Sequence, residues 1–298
     1  MSAQRDIVDR VPPRQQTDWD IRGALNFIFG GAGGGLLVAA ACAEPLGVDL
    51  RAPIALGLAL VGAGLFSVWL KIGRPWRALW VFRRPSTSWM TREALLAPPI
   101  FLSGALAFFW QSAPALYVAG LLGLAFVYAQ GRILKANIGI PAWRRWSCVA
   151  LIVATGLTEG FGILCLAAPV WPSLLPLAYP LAAVLAVRFL AWRSYRGDLR
   201  RTGAPVGTLR TLDEFEFRFV LIGHASAAVL AIAGAYAGLP SLVAAGGGLA
   251  VLAGALFKYT LVCRAAFTQG FALPRTPSRG RGAPGAGIQP GWRQGRGR

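Results

Sequence analysis

Charge is scarce in this sequence, and the few ionisable residues inside its apolar blocks are where chemistry is first sought. Only 14% of the residues are charged, against about a quarter in an ordinary soluble domain. Within the blocks stand Glu159, Arg188, His224 and Lys258. Ionisable groups in a hydrocarbon layer are costly and default to a functional reading. Glu159 reads as the most isolated of them: either a proton relay or a neutral carboxyl bonded to a neighbouring helix, and both readings stay open. His224 is the sole histidine. It either bonds a backbone carbonyl or faces a ligand, and its solitude excludes a bis-histidine haem. Lys258 lies near the cytoplasmic end of its block, and Arg188 lies near the end of its own, where a long side chain reaches the interface. Cys42, Cys148, Cys165 and Cys263 are scattered rather than clustered, so neither an iron–sulfur nor a zinc centre is expected.

Three polar clusters flank the blocks. The longest runs from Lys71-Ile72-Gly73-Arg74-Pro75-Trp76-Arg77 to Ser88-Trp89-Met90-Thr91-Arg92-Glu93. A second holds Tyr128, Gln130, Arg132, Lys135 and Asn137, and a third Trp19, Asp20, Arg22 and Asn26. Alternating arginine and tryptophan suit an interfacial belt facing lipid. The same residues also suit a pocket for the polar head of an amphipathic ligand, or a docking face for a partner. All three clusters fall on one membrane face and together would ring one pocket.

The elements that must position these residues are membrane-spanning helices. Hydrophobic residues make up 55% of the chain, and its mean hydropathy is +0.54. Apolar blocks of spanning length fall at about 23–43, 52–71, 94–111, 114–134, 146–168, 173–193, 217–238 and 241–262. The reading is therefore an all-α, polytopic protein of eight transmembrane helices. Its parts are an N-terminal segment (1–22), a spanning domain (23–262) and a tail (263–298). Very short turns join helices 3 and 4, 5 and 6, and 7 and 8, which makes each pair antiparallel neighbours. The net charge is +18. Its basic residues gather between helices 2 and 3, 4 and 5, and 6 and 7, and the tail adds seven arginines with no acid. On the other face stands Arg51. This asymmetry places both termini in the cytoplasm of a bacterial inner membrane and makes a nucleic-acid partner unexpected. Asp6, Asp9, Asp18 and Asp20 occupy the opening residues, so the first apolar block is expected to enter the membrane uncleaved. The Gly-, Pro- and Arg-rich stretch from about 274 is expected to be disordered. Glycines in helices 1 and 8 are read as close-packing sites. Pro98, Pro99, Pro176 and Pro180 are expected to bend helices 3 and 6.

The stretch from Ile72-Gly73-Arg74-Pro75 to Trp89-Met90-Thr91-Arg92-Glu93 resembles the anchor subunit of dimethyl sulfoxide reductase, a family with an HLGRP…RAL…SWLSRE pattern between its second and third helices. Tyr128-Ala129-Gln130-Gly131-Arg132-Ile133, followed by Pro141-Ala142-Trp143, resembles that family's next loop. Phe257 to Pro274 is similar to the membrane anchor of phenylacetyl-CoA:acceptor oxidoreductase. The resemblance implies a haem-free, metal-free chain that binds menaquinone or ubiquinone. Its implied partners are an iron–sulfur subunit and a molybdopterin catalytic subunit, and electrons would pass between the clusters and the quinone pool. Quinone contacts would fall among Asn26, Lys71, Arg74, Trp89, Glu93, Tyr128, Arg132 and His224, with Glu159 as the proton relay. Lys71 replaces the family's histidine; a lysine donates to a quinone oxygen but accepts a proton less readily. Two other functions stand beside this one: a secondary transporter coupled through Glu159 and His224, and a passive membrane scaffold.

Overall fold

A computed structural model describes residues 12–71, 80–83 and 85–270. Arg74 and the tail from 274 lie outside the described residues. Among those described, eight helices are long and apolar enough to cross a membrane: α1 (Ile21–Leu46), α2 (Arg51–Trp69), α3 (Trp89–Trp110), α4 (Ala113–Ala136), α5 (Trp146–Leu166), α6 (Pro172–Thr202), α7 (Val206–Tyr236) and α8 (Pro240–Arg264). The short turns make the expected antiparallel pairs α3–α4, α5–α6 and α7–α8. In the α3–α4 turn, Gln111 takes a left-handed conformation at φ 49° and Ser112 caps α4 by accepting from the Ala115 amide.

The bundle is organised on α1 and α5. In each, 72% of the most apolar stretch is buried inside the protein, against 33–44% in the other six. Glycine makes their contact possible. A Cβ on Gly35 would strike the Gly156 carbonyl, and one on Gly160 would strike the Gly35 carbonyl. Backbones approach this closely only where side chains are missing. The outward faces of the other helices carry exposed Leu102, Phe109, Leu121, Leu190 and Val229, the apolar girdle a bilayer requires.

Helix boundaries depart from the sequence reading at polar ends. α3 begins at Trp89, not near 94, because the Ser88 side chain accepts the Thr91 amide; Glu93 is thus helical. α6 and α7 run far beyond their apolar blocks and meet at a turn through Gly203, φ +69°. Ion pairs between Arg196 and both Asp213 and Glu216 join the two extensions. This lengthening places Arg188 mid-helix and fully buried, so it does not reach the interface as the shorter helix implied. Pro176 lies in the 3-10 turn that opens α6, and Pro180 in its first α-helical turn, where no backbone donor is lost. α3 continues without interruption through Pro98 and Pro99.

The helix ends on the basic side are tied together. Gln15 pairs with Phe267, the Thr268 amide donates to the Arg14 carbonyl, and the Gln269 amide donates to the Gly139 carbonyl. The Tyr195 hydroxyl donates to the Ala142 carbonyl at 2.9 Å, and Arg22 to the Leu70 carbonyl at 3.3 Å. The segments before α1 and after α8 therefore share one face.

Candidate functional site

Three turns of π-helix shape the polar interior: Asn26–Gly30 near the entrance to α1, Leu221–Ser226 within α7 and Thr260–Arg264 at the end of α8. A π turn shifts the hydrogen-bond ladder and presents carbonyls to other partners. Each is read by a side chain from another part of the chain. Gln130 Nε2 donates to the Asn26 carbonyl at 2.8 Å, Arg188 to the Gly223 carbonyl at 2.6 Å, and Trp143 Nε1 to the Leu261 carbonyl at 3.0 Å. Sequence reasoning missed these turns, since glycine-rich apolar runs carry no mark of an added residue.

The α1 turn places Asn26 against α3, where its Nδ2 donates to Glu93 Oε1 at 3.1 Å. Both side chains are buried, with Asn26 3% and Glu93 4% exposed. Glu93 borders two adjoining spaces. One is a cavity of about 240 Å³ lined by Trp19, Asn26, Lys71 and Ile133 together with Val68 and Met90. The other is a groove of about 480 Å³ between α2 and α3, lined by Phe66, Trp69, Phe82, Ala97 and Phe101 and again by Val68 and Met90. Among the described residues, Glu93 is the one charged residue of the groove lining. Residues of two of the polar clusters thus meet at one cavity, Trp19 and Asn26 from one and Lys71 and Glu93 from the other, while the third only approaches it where Gln130 bonds the Asn26 carbonyl; the apolar groove adjoins the cavity at Val68, Met90 and Glu93. Lys71 lies over the Trp19 ring at 5.9 Å. Beside the cavity mouth, Arg22 holds the Asp20 carboxyl below the usual carboxylate range by hydrogen bonding, with the Lys71 charge contributing.

Trp89, Tyr128 and Arg132 form a separate stack next to this cavity. Arg132 lies over Trp89 at 4.0 Å and over Trp146 at 4.7 Å, and donates to the Tyr128 hydroxyl at 2.6 Å. Trp89 meets Tyr128 edge-on at 5.8 Å, and Arg92 covers Trp89 at 4.2 Å. This is a half-exposed cationic and aromatic shelf.

His224 belongs to another neighbourhood. Its Nε2 accepts from Arg188 Nε at 3.0 Å, and its Nδ1 lies 2.7 Å from the Phe219 carbonyl. The two contacts require the neutral imidazole protonated at Nδ1, and they occupy both nitrogens. Arg188 also donates to the Ala250 carbonyl at 3.1 Å.

Glu159 is not isolated. Lys258 Nζ lies 2.5 Å from its Oε2, with the two side chains 0% and 1% exposed. Nothing in the spacing of residues 159 and 258 announces this pair; the α5–α8 contact creates it. Glycine again supplies the room, because a Cβ on Gly254 would fall 2.6 Å from Glu159 Oε1, and one on Gly31 would strike Lys258 Nζ. These glycines, read from sequence as helix-packing sites, also house charged side chains.

Compared with known proteins, the chain matches no family model and no curated protein.

Proposed function

We propose that this chain is the haem-free membrane anchor and quinone-reactive subunit of a molybdopterin and iron–sulfur oxidoreductase of the bacterial inner membrane, with both termini in the cytoplasm. The observation that carries the reading is the junction at Glu93, where a cavity bordered by the polar side chains of Asn26 and Lys71 adjoins an apolar groove. A quinone has that division of chemistry: a head with two hydrogen-bonding oxygens and an isoprenoid tail. Asn26 and Lys71 are donors suited to the oxygens, Glu93 is suited to proton exchange, and the groove suits the tail. Trp19 would cover the ring face. The shelf of Trp89, Tyr128, Arg132 and Trp146 adjoins the cavity, as a docking surface for an iron–sulfur partner should. The motifs around Arg74 and Glu93, which resemble those of the dimethyl sulfoxide reductase anchor, support the same assignment, and the stretch from Phe257 to Pro274 adds a resemblance to the anchor of a phenylacetyl-CoA oxidoreductase. A cytoplasmic catalytic partner suits a CoA thioester, which does not cross membranes.

The test is a titration of the full chain in lipid nanodiscs with a short-tailed ubiquinone or menaquinone analogue, followed by quenching of tryptophan fluorescence. Saturable binding is expected, weakened about tenfold by Glu93→Gln or Lys71→Ala, the loss of one hydrogen bond to a charged group. A wild-type chain that shows no saturable quenching would sink the proposal. Co-purification with an iron–sulfur protein tests the partner assignment separately.

A further inference from the structure

A row of buried polar groups leads from Glu93 to the centre of the bundle. Asn26 Nδ2 bonds Glu93 Oε1, and Gln130 Nε2 bonds the Asn26 carbonyl. Gln130 Oε1 then faces the bare Cα of Gly31, where a Cβ would lie 3.1 Å from it. Lys258 Nζ crowds the same spot from α8, and its other neighbour is Glu159 Oε2 at 2.5 Å. Along this row Asn26 Oδ1, Gln130 Oε1 and Glu159 Oε1 are buried with no hydrogen-bond partner. An orphaned buried acceptor is unfavourable by about 1–3 kcal/mol, and all three need a donor. Water both donates and accepts, which makes it the species suited to complete them.

The charges at the two ends are unequal. The inner end holds two buried cations, Lys258 and Arg188, and one carboxylate, Glu159. Arg188 is close enough to act on Glu159 electrostatically, while His224 is held neutral by its two contacts. At the outer end the Glu93 carboxyl has no ion-pair partner among the described residues. Moving one proton from the inner end to an ionised Glu93 removes an unbalanced positive charge and an unbalanced negative one in a single step. In a low-dielectric interior both changes are favourable.

We propose that Lys258 is the proton donor that reloads Glu93, through water held by Gln130 and Asn26, with Glu159 positioning its ammonium. An N–H bond of the ammonium breaks, an O–H bond forms on Glu93, and no electron moves in the step. The proposal rests on the quinone reading above. Reduction of the head group takes two electrons from the partner's clusters and two protons, one drawn from Glu93 and the other from water at the basic face. The amine left on Lys258 regains its proton from the basic face. Arg188 cannot replace Lys258, since a guanidinium does not release its proton in proteins.

The experiment is electrochemically induced infrared difference spectroscopy of the full chain in nanodiscs loaded with a ubiquinone analogue. The Glu93 carboxyl band is identified by its loss in Glu93→Gln. Lys258→Met alone would strand a buried carboxylate, so the informative variants are the paired Lys258→Met/Glu159→Met and the charge-preserving Lys258→Arg. In both, recovery of the Glu93 band after reduction is expected to slow about 10²-fold, with analogue affinity unchanged. Slowing in Lys258→Arg separates proton donation from a merely structural charge. Wild-type recovery in both variants, with binding intact, would overturn the relay and leave the quinone site standing. No binding by the wild-type chain would overturn the quinone reading and the relay with it.

Discussion

The Lys258–Glu159 pair is a buried charge pair whose partners come from α5 and α8, and its energetics are asymmetric. Removing one partner leaves a charge in hydrocarbon, which costs about 3–5 kcal/mol; removing both leaves two apolar side chains and costs little. Lys258→Met should therefore lower the thermal midpoint of the detergent-solubilised protein sharply, and Lys258→Met/Glu159→Met should recover most of the loss. A double variant as unstable as the single one would show that the pair's geometry, not its charge balance, is what the fold requires. Arg188 obeys the same logic with dipoles. Arg188→Met would orphan the Gly223 and Ala250 carbonyls and one His224 nitrogen, at about 1–3 kcal/mol for each group. The sequence marked Glu159, His224, Lys258 and Arg188 as residues of consequence because a bilayer tolerates so few charges. It did not reveal who pairs with whom. Pairing depends on which helix faces which, and nearly uniform apolar helices such as α1 and α5 carry no polar stripe to report it.

At the scale of helices, two kinds of glycine emerge from one composition. Gly35 and Gly160 lie where α1 and α5 touch backbone to backbone, whereas Gly62 on α2 has Phe101 at 3.5 Å from a Cβ position and nothing nearer. Gly160→Ala and Gly35→Ala should each destabilise the protein by about 1–3 kcal/mol through overpacking, while Gly62→Ala should be neutral or slightly stabilising, since alanine is the better helix former. Melting curves of the three variants in one detergent check this, and a Gly62→Ala penalty equal to that of Gly160→Ala would count against the close-contact account. Helix number, order and the three tight antiparallel pairs were legible, because length and hydropathy decide them. The ends of α3, α6 and α7 were not. There the polar residues are helical through a cap at Ser88 or through the Arg196–Asp213–Glu216 ion pairs, which are contacts and not compositions. The site shared this limit. Asn26, Lys71 and Glu93 were selected by their polar neighbourhood and do line one cavity. The apolar groove beside it was invisible, because Phe66, Trp69 and Phe101 look like any lipid-facing residues.

At the scale of the molecule, the number of spanning-length helices among the described residues is even, and the chain segments before α1 and after α8 are bonded to each other, through Gln15 and Phe267 and through Arg14 and Thr268. One face then carries Lys71, Arg83, Arg92, Arg132, Lys135, Arg144, Arg145, Arg200 and Arg201, and the other carries Glu44, Asp49 and Arg51. On the sparse face Arg51 is engaged by Asp49, whose carboxyl its hydrogen bonds lower to about 2, so that loop offers the translocation machinery almost no free positive charge. The basic face should therefore stay in the cytoplasm. In a Cys42→Ser background, a membrane-impermeant maleimide should label Gly47→Cys in intact spheroplasts, since a Cβ there meets open space even though the φ of +66° strains a side chain. It should label Gly139→Cys, equally open but on the basic face, only after lysis. The reverse pattern would invert the membrane orientation. It would also move the Glu93 cavity to the outer surface, away from the proposed cytoplasmic iron–sulfur partner, and remove the argument for a CoA thioester substrate while leaving the proposed quinone pocket itself untouched.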